Sequence, residues 1–261
     1  MKFKVLLLIM LGFFIPKLQA QTSAFKAELF IQGTDTLPYR ILYPDGFVAS
    51  KPYPLILVLH GSGERGNDNN LQLVHGGEFF ASNGTRANFP AVVVFPQCSS
   101  KSYWAAGYFP DPSDSSRFFR FDPFGKPTSS MKLLLGFIDQ FTQKQFVDKK
   151  SIYLGGISMG GMATYELLYR RPDVFAAAFP ICGGGDPKAI ENYAKKVKIW
   201  AFHGAKDDVV LPEYTIRMVN AINDAGGDAK LTLYPEGNHG VWDNVFADPA
   251  LLPWLFGIRK P

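Results

Sequence analysis

Three residues in this 261-residue chain have the types and the order to do covalent chemistry. Ser158 lies in GISMGG, which fits G-x-S-x-G, a pattern that holds a serine on a sharp strand-to-helix turn with its hydroxyl exposed. A serine hydroxyl is a poor nucleophile until a neighbouring base takes its proton, and that base needs a carboxylate to orient it. Asp207 in HGAKDDVVLP and His239 in YPEGNHGVWD follow, in the order nucleophile, acid, base. Asp208 is read as shaping the loop beside Asp207, and Asp243 as capping the helix after His239. The chemistry this set would do is acyl transfer through a covalent intermediate.

Such a reaction develops negative charge on a carbonyl oxygen, best held by two preorganised backbone N–H groups. Met159, directly after Ser158, is placed to supply one. Ser62 in HGSGERG (60–66) is expected to supply the other, with Gly61 and Gly63 allowing close backbone approach. A phosphate-cradling loop is the rival reading of HGSGERG, but the G-K-[ST] ending is missing. His60, His75 and His203 are expected to be hydrogen-bonded support. Gly61, Trp104 and Trp242 are the candidate substrate contacts. With four histidines, no C-x-x-C and no H-x-x-x-H, neither a metal nor another cofactor is expected.

These residues need a scaffold that brings them together. The runs PLILVLHG (54–61), AVVVFPQ (91–97), SIYLGG (151–156), VFAAAFPICGG (174–184), KIWAFHG (198–204) and KLTLYPEG (230–237) are short and nearly all apolar. Parallel strands read this way when helices cover both faces of their sheet. Ser158, Asp207 and His239 each fall just past one of these runs. AELFIQG and PYRILYP, joined by GTDT, predict an antiparallel pair ahead of them. Helices are predicted over 131–146, with Ser129 and Ser130 as capping candidates, and over 159–171, stopped by Pro172. Two more are predicted over 212–225, opening at Pro212 and closing on Gly226-Gly227, and over roughly 242–256. The pattern is a single α/β domain over 21–261: a mostly parallel central sheet with an antiparallel N-terminal strand pair and helices on both faces. Residues 97–126 are rich in Ser, Asp and Pro yet carry Trp104, Tyr108, Phe109, Phe118, Phe119, Phe121 and Phe124. A long aromatic-rich segment of this kind is expected to cap the strand ends. The sequence leaves open whether its rings form a small core of their own or touch substrate.

The first twenty residues, MKFKVLLLIMLGFFIPKLQA, have the charged start, apolar middle and small-residue end of a cleaved signal peptide. Their apolar run is too short to span a bilayer, so a secreted or periplasmic protein with no stable membrane anchor is expected. The formal charge of the whole chain is +4. Lys2, Lys4 and Lys17 belong to the signal, which leaves +1 for residues 21–261. With no basic stripe either, nucleic acid is not an expected partner. No pattern speaks to oligomeric state. Cys98 and Cys182 could pair in an oxidising compartment, but each follows a strand expected to lie apart from the other in the sheet, so two free thiols are favoured.

Taken in order, PYRILYPDGF, YPLILVLHGSGERGNDN, FPQC followed by a Trp, GISMGG, FPICGGGD, HGAKDDVV and NHGVWD carry a resemblance that runs from about residue 35 to 256. They resemble an exported α/β-hydrolase esterase family related to polyhydroxybutyrate depolymerases and to feruloyl and acetyl-xylan esterases. Some of its members are described as predicted peptidases of the prolyl-oligopeptidase superfamily. The resemblance implies an α/β-hydrolase fold, with Ser158, Asp207 and His239 as nucleophile, acid and base. It also implies a small-molecule or polysaccharide ester as substrate, such as an acetyl or feruloyl ester. A serine peptidase is the alternative enzyme, and a non-catalytic binding module on the same fold is the alternative outside catalysis. Peptidases of the wider superfamily commonly place a further domain before the hydrolase, and the few residues between the signal and the 54–61 run favour the esterase.

Overall fold

The apolar runs become strands of one eight-stranded sheet in the computed structural model, which describes residues 24–108 and 118–261. The expected signal peptide and Phe109 lie outside the described residues. In chain order the strands are β1 (Lys26–Gln32), β2 (Asp35–Leu42), β3 (Tyr53–Leu59) and β4 (Val92–Pro96), then a short pair, β5 (Gly107–Tyr108) and β6 (Arg120–Phe121). They continue with β7 (Val147–Ile157), β8 (Ala177–Ile181), β9 (Lys198–Gly204) and β10 (Ala229–Tyr234). The sheet order is β1-β2-β4-β3-β7-β8-β9-β10, with β5 and β6 paired apart from it. β1 and β2 form the predicted antiparallel pair and β2 joins β4 antiparallel. From β4 through to β10 every pairing is parallel.

Strand geometry sends alternate side chains to opposite faces, and both faces here are covered. Leu55, Leu57 and Leu59 of β3 join one hydrophobic cluster; Ile56 and Val58 join the other. The first cluster packs under three helices, α3 (Ser129–Phe141), α4 (Met159–Arg170) and α5 (Glu213–Asp224). The second packs under α1 (Gly77–Ala81), α6 (Trp242–Ala247) and α7 (Leu251–Phe256). A further short helix, α2 (Asn83–Asn88), precedes β4. Among the described residues no helix is long and apolar enough to cross a membrane. Cys98 and Cys182 are both free and buried.

Three local expectations change. Thr128, and not Ser129 or Ser130, caps α3: its Oγ1 accepts from the Met131 amide at 3.0 Å, and the two serines become the first helical residues. α3 also ends at Phe141, where the Thr142 hydroxyl turns back onto the Ile138 carbonyl at 2.8 Å. The predicted helix over 242–256 is two helices. Pro249 disfavours helical backbone at Asp248, which is extended with ψ 114°, and the Asp248 carboxylate closes the turn by accepting from the Ala250 amide at 2.8 Å.

Candidate active site

The site begins with a strained residue. Ser158, at the junction of β7 and α4, has φ 53° and ψ −116°, a conformation that costs a non-glycine residue about 1–3 kcal/mol. Its amide donates to the Ile181 carbonyl of β8 at 2.8 Å, and its carbonyl accepts from Met162 at 2.9 Å, so sheet and helix hold the turn from both sides. The flanking glycines have steric work to do. A Cβ on Gly156 would lie 2.3 Å from the Gly160 carbonyl oxygen, and one on Gly160 would lie 2.1 Å from the Leu59 carbonyl oxygen. The turn therefore packs directly against the end of β3.

Asp207 and His239 come from the loops after β9 and β10, at the carboxyl ends of the parallel strands. The structure brings all three side chains into one hydrogen-bonded chain. The Ser158 hydroxyl lies 2.9 Å from His239 Nε2, and His239 Nδ1 lies 2.7 Å from Asp207 Oδ2. The acceptor at Nδ1 fixes the tautomer: Nδ1 carries hydrogen and Nε2 faces the hydroxyl with its lone pair. Asp207 is buried, and its Oδ1 accepts from the amides of Val209 and Val210, each at 2.9 Å. Burial alone would raise its pKa. Hydrogen bonds from His203 and His239, with the charge of His239 and the Val210 amide, outweigh burial and hold the carboxyl well below the usual carboxylate range. Asp208 is exposed. Asp243 does not cap α6; Val241 holds the N-cap position and Asp243 sits in the first turn.

The HGSGERG loop lies against Ser158. A Cβ on Gly61 would come within 3.6 Å of the Ser158 Cβ and 3.7 Å of the Ile157 side chain. Ser62 follows in the same loop, as the first residue of a short 3-10 helix (Ser62–Glu64). Met159 is the first residue of α4, so its N–H has no acceptor within the helix. His60 supports this loop. Its Nε2 accepts from the Cys98 amide at 2.9 Å and its Nδ1 donates to the Gly61 carbonyl at 2.6 Å. Burial lowers the His60 pKa to about 4 and keeps the ring neutral. Arg65 holds the other side, donating to the carbonyls of Ser62 at 3.0 Å and Ser102 at 3.1 Å.

Of the candidate substrate contacts, Gly61 and Trp242 flank the three side chains. The Trp242 ring meets the His239 ring edge-on at 5.5 Å and the His75 ring at 4.9 Å. Trp104 does not reach a substrate surface. It is fully buried in the first hydrophobic cluster beside Cys98 and Ala105, with its ring 5.4 Å from His60.

Sequence reasoning missed the residues that tie the aromatic segment down. Glu166 on α4 is buried; it accepts from the Ala106 amide at 2.7 Å and pairs with Arg170 at 2.7 Å. Arg170 also donates to the Gly125 carbonyl at 3.0 Å. Tyr214 on α5 accepts from the Phe119 amide at 2.9 Å and packs edge-on against Phe119 and Phe121. The i,i+4 spacing of Glu166 and Arg170 was the legible signal for the first tie. Beneath the pinned segment a small recess of about 10 Å³ runs along α4 from Met162 and is lined by Phe121, Tyr165, Gly185 and Met218.

Comparisons with known proteins agree with this architecture. A bifunctional acetylxylan esterase/xylanase of Neocallimastix patriciarum is 37% identical over 73 residues, 28% of this chain and 11% of that protein. A thermostable esterase of known structure superposes with a TM-score of 0.81 at 30% identity, over 92% of this chain and 64% of its own. A feruloyl esterase module from Clostridium thermocellum, solved as an S954A mutant with sinapinate, shares the fold with a TM-score of 0.59 at 16% identity, over 89% of this chain and 87% of its own. The chain thus spans less than two thirds of the length of the first two. The dienelactone hydrolase pattern matches residues 107–245, from the short β5–β6 pair through all three side chains of the site, and the chain belongs to the dienelactone hydrolase family.

Proposed function

We propose that this protein is an exported serine hydrolase of carboxylic esters, acting through Ser158, His239 and Asp207. The observation that carries the reading is the unbroken hydrogen-bonded chain from Ser158 Oγ through His239 to Asp207, set against the Gly61–Ser62 backbone. In the first half-reaction the Ser158 oxygen attacks the ester carbonyl as His239 Nε2 takes its proton. The amides of Met159 and Ser62 hold the oxyanion of the tetrahedral intermediate. His239 then gives the proton to the departing alcohol, leaving an acyl group on Ser158. In the second half-reaction His239 activates water against that acyl group, and the carboxylic acid leaves with Ser158 restored. Asp207 orients His239 and stabilises its protonated form. No step calls on a group beyond these residues and water.

Export is proposed from residues 1–20. Acetyl or feruloyl esters of polysaccharides are the proposed substrates, a reading supported by the acetylxylan esterase relative and by Trp242 beside the base. The test is hydrolysis of p-nitrophenyl acetate, methyl ferulate and a chromogenic Pro-peptide by the protein and by Ser158→Ala. Ester cleavage that disappears in the variant supports the proposal. Peptide cleavage alone would replace it with a serine peptidase. No cleavage by a folded protein would leave a binding module on this fold.

A further inference from the structure

The carboxylate that orients His239 faces two imidazoles. His203, in β9, is fully buried, and its Nε2 lies 2.8 Å from the Val210 carbonyl oxygen with Asp207 Oδ2 beside it at 3.0 Å. Its Nδ1 lies 2.7 Å from Thr215 Oγ1 on α5. Thr215 Oγ1 is in turn 2.6 Å from the Gly183 carbonyl oxygen, just past β8.

Counting hydrogens along this chain leaves one arrangement in which every contact has a hydrogen. A carbonyl only accepts, so the Thr215 hydroxyl spends its one hydrogen on Gly183. It then offers only lone pairs to His203, and Nδ1 must carry hydrogen. Nε2 faces a carbonyl and a carboxylate, again acceptors only, and must carry hydrogen as well. A neutral ring has one N–H and would leave two acceptors facing each other at under 3 Å, a ring nitrogen against an oxygen or, with the hydroxyl turned to Nδ1, Thr215 Oγ1 against the Gly183 carbonyl. We infer that His203 is a buried imidazolium, a fixed countercharge to Asp207 and a positioning residue that governs, through the shared carboxylate, how readily His239 gains and loses its proton.

Burying a charge is tolerated only when it is paired and hydrogen-bonded, and both conditions hold at His203. The titratable groups clustered with it are Asp207, from the loop after β9, and Cys182, just past β8, with His239 on the far side of the shared carboxylate. Burial, and then the Asp207 charge, push the Cys182 thiol up to about 12, so it contributes no charge. Thr215 and Gly183, from α5 and the segment after β8, are uncharged. Asp207 and His203 together are then neutral, so the proton arriving on His239 meets a carboxylate already compensated. An uncompensated aspartate would hold that proton more tightly. His239 is thereby kept available as a base under more acidic conditions and made a better proton donor to the leaving alcohol.

The charge state is read without reference to activity; its effect on His239 rests on the ester-hydrolase proposal. Nitrogen-15 NMR of the protein labelled at histidine reports the protonation of each ring nitrogen at neutral pH. The His203 signals are assigned by their loss in His203→Gln or, if that variant does not fold, by elimination with His60→Gln, His75→Gln and His239→Gln. Two protonated nitrogens are expected, and one unprotonated nitrogen on His203 would overturn the inference. In the second arm, kcat/KM for p-nitrophenyl acetate is followed against pH for the protein and His203→Gln, which keeps a donor but no charge. The acid limb is expected to move to higher pH in the variant by about one unit. A limb that stays in place would overturn the action on His239 even if kcat falls. Absence of ester hydrolysis in both proteins would count against the functional proposal, while the NMR result would still decide the charge.

Discussion

His60 Nδ1 donates to the carbonyl of its own neighbour, Gly61, at 2.6 Å, and so sets the plane of the peptide whose other end is the Ser62 N–H. In a trans peptide the carbonyl and the N–H point in opposite directions. Fixing one aims the other. His60→Gln is therefore expected to lower kcat for an ester substrate by tenfold or more, a smaller loss than the ~100-fold cost of deleting an oxyanion donor outright. Steady-state kinetics check it, with an unchanged kcat assigning His60 to support of the fold alone.

The same residue predicts a stability profile. Burial lowers the His60 pKa from its ordinary 6.5 to about 4. Above 6.5 the ring is neutral in folded and unfolded chains alike. As pH falls from there toward 4, the unfolded chain binds a proton that the folded protein refuses, and stability is lost. The loss is on the order of 3 kcal/mol across that window. Urea unfolding at several pH values should show it, and His60→Gln should show a shallower slope.

Ser158 is expected to carry a cost in stability that its position imposes. Ser158→Gly removes the nucleophile and relieves the positive φ, so it should abolish hydrolysis while raising stability by about 1 kcal/mol. Ser158→Ala should abolish hydrolysis without the stability gain. Thermal unfolding of both variants separates the two effects. Equal stability of Gly and Ala at 158 would count against stored strain.

Gly160 has no room for a side chain, since a Cβ there would overlap the Leu59 carbonyl oxygen, which is backbone and unable to rotate away. Gly160→Ala should cost about 3 kcal/mol and most of the activity. Gly84→Ala serves as the control, because Gly84 lies within α2 with open space where its Cβ would be, and a gain of up to about 1 kcal/mol is expected there.

Asp207 and Asp208 should separate cleanly. Asp207→Asn replaces an oxygen that accepts from His239 with an amide that can donate, disturbing the tautomer, and is expected to cost about 10⁴ in kcat. Asp208→Asn should cost less than tenfold. The reverse ranking, measured with one ester substrate, would move the acid to Asp208.

The strands were legible because buried parallel strands need no polar face. Runs such as AVVVFPQ and KIWAFHG advertise themselves, and Ser158, Asp207 and His239 each fall just past one. Local competition was harder to read. Thr128, Ser129 and Ser130 share capping chemistry, and only in the folded chain does the Thr128 hydroxyl find the Tyr103 carbonyl to donate to while it accepts from Met131. Trp104 sits in a Ser- and Asp-rich stretch whose composition points outward, whereas its own apolar surface is satisfied only by turning inward. His203 looked like ordinary support because its partners, Thr215 and Gly183, come from other elements and meet it only in the folded chain.

The seat of Ser158 is built from the ends of three adjacent strands: Gly156 and Ile157 of β7, the Leu59 carbonyl of β3 and the Ile181 carbonyl of β8. Leu59 precedes Ser158 by about a hundred residues, a long loop to close before that contact can form. During synthesis the nucleophile cannot be poised until β8 has emerged and docked, so a chain halted before β8 would carry an intact GISMGG and no reactive serine. In refolding, hydrolysis should therefore trail the recovery of secondary structure and report the completed sheet, which makes the activity itself a late clock of folding.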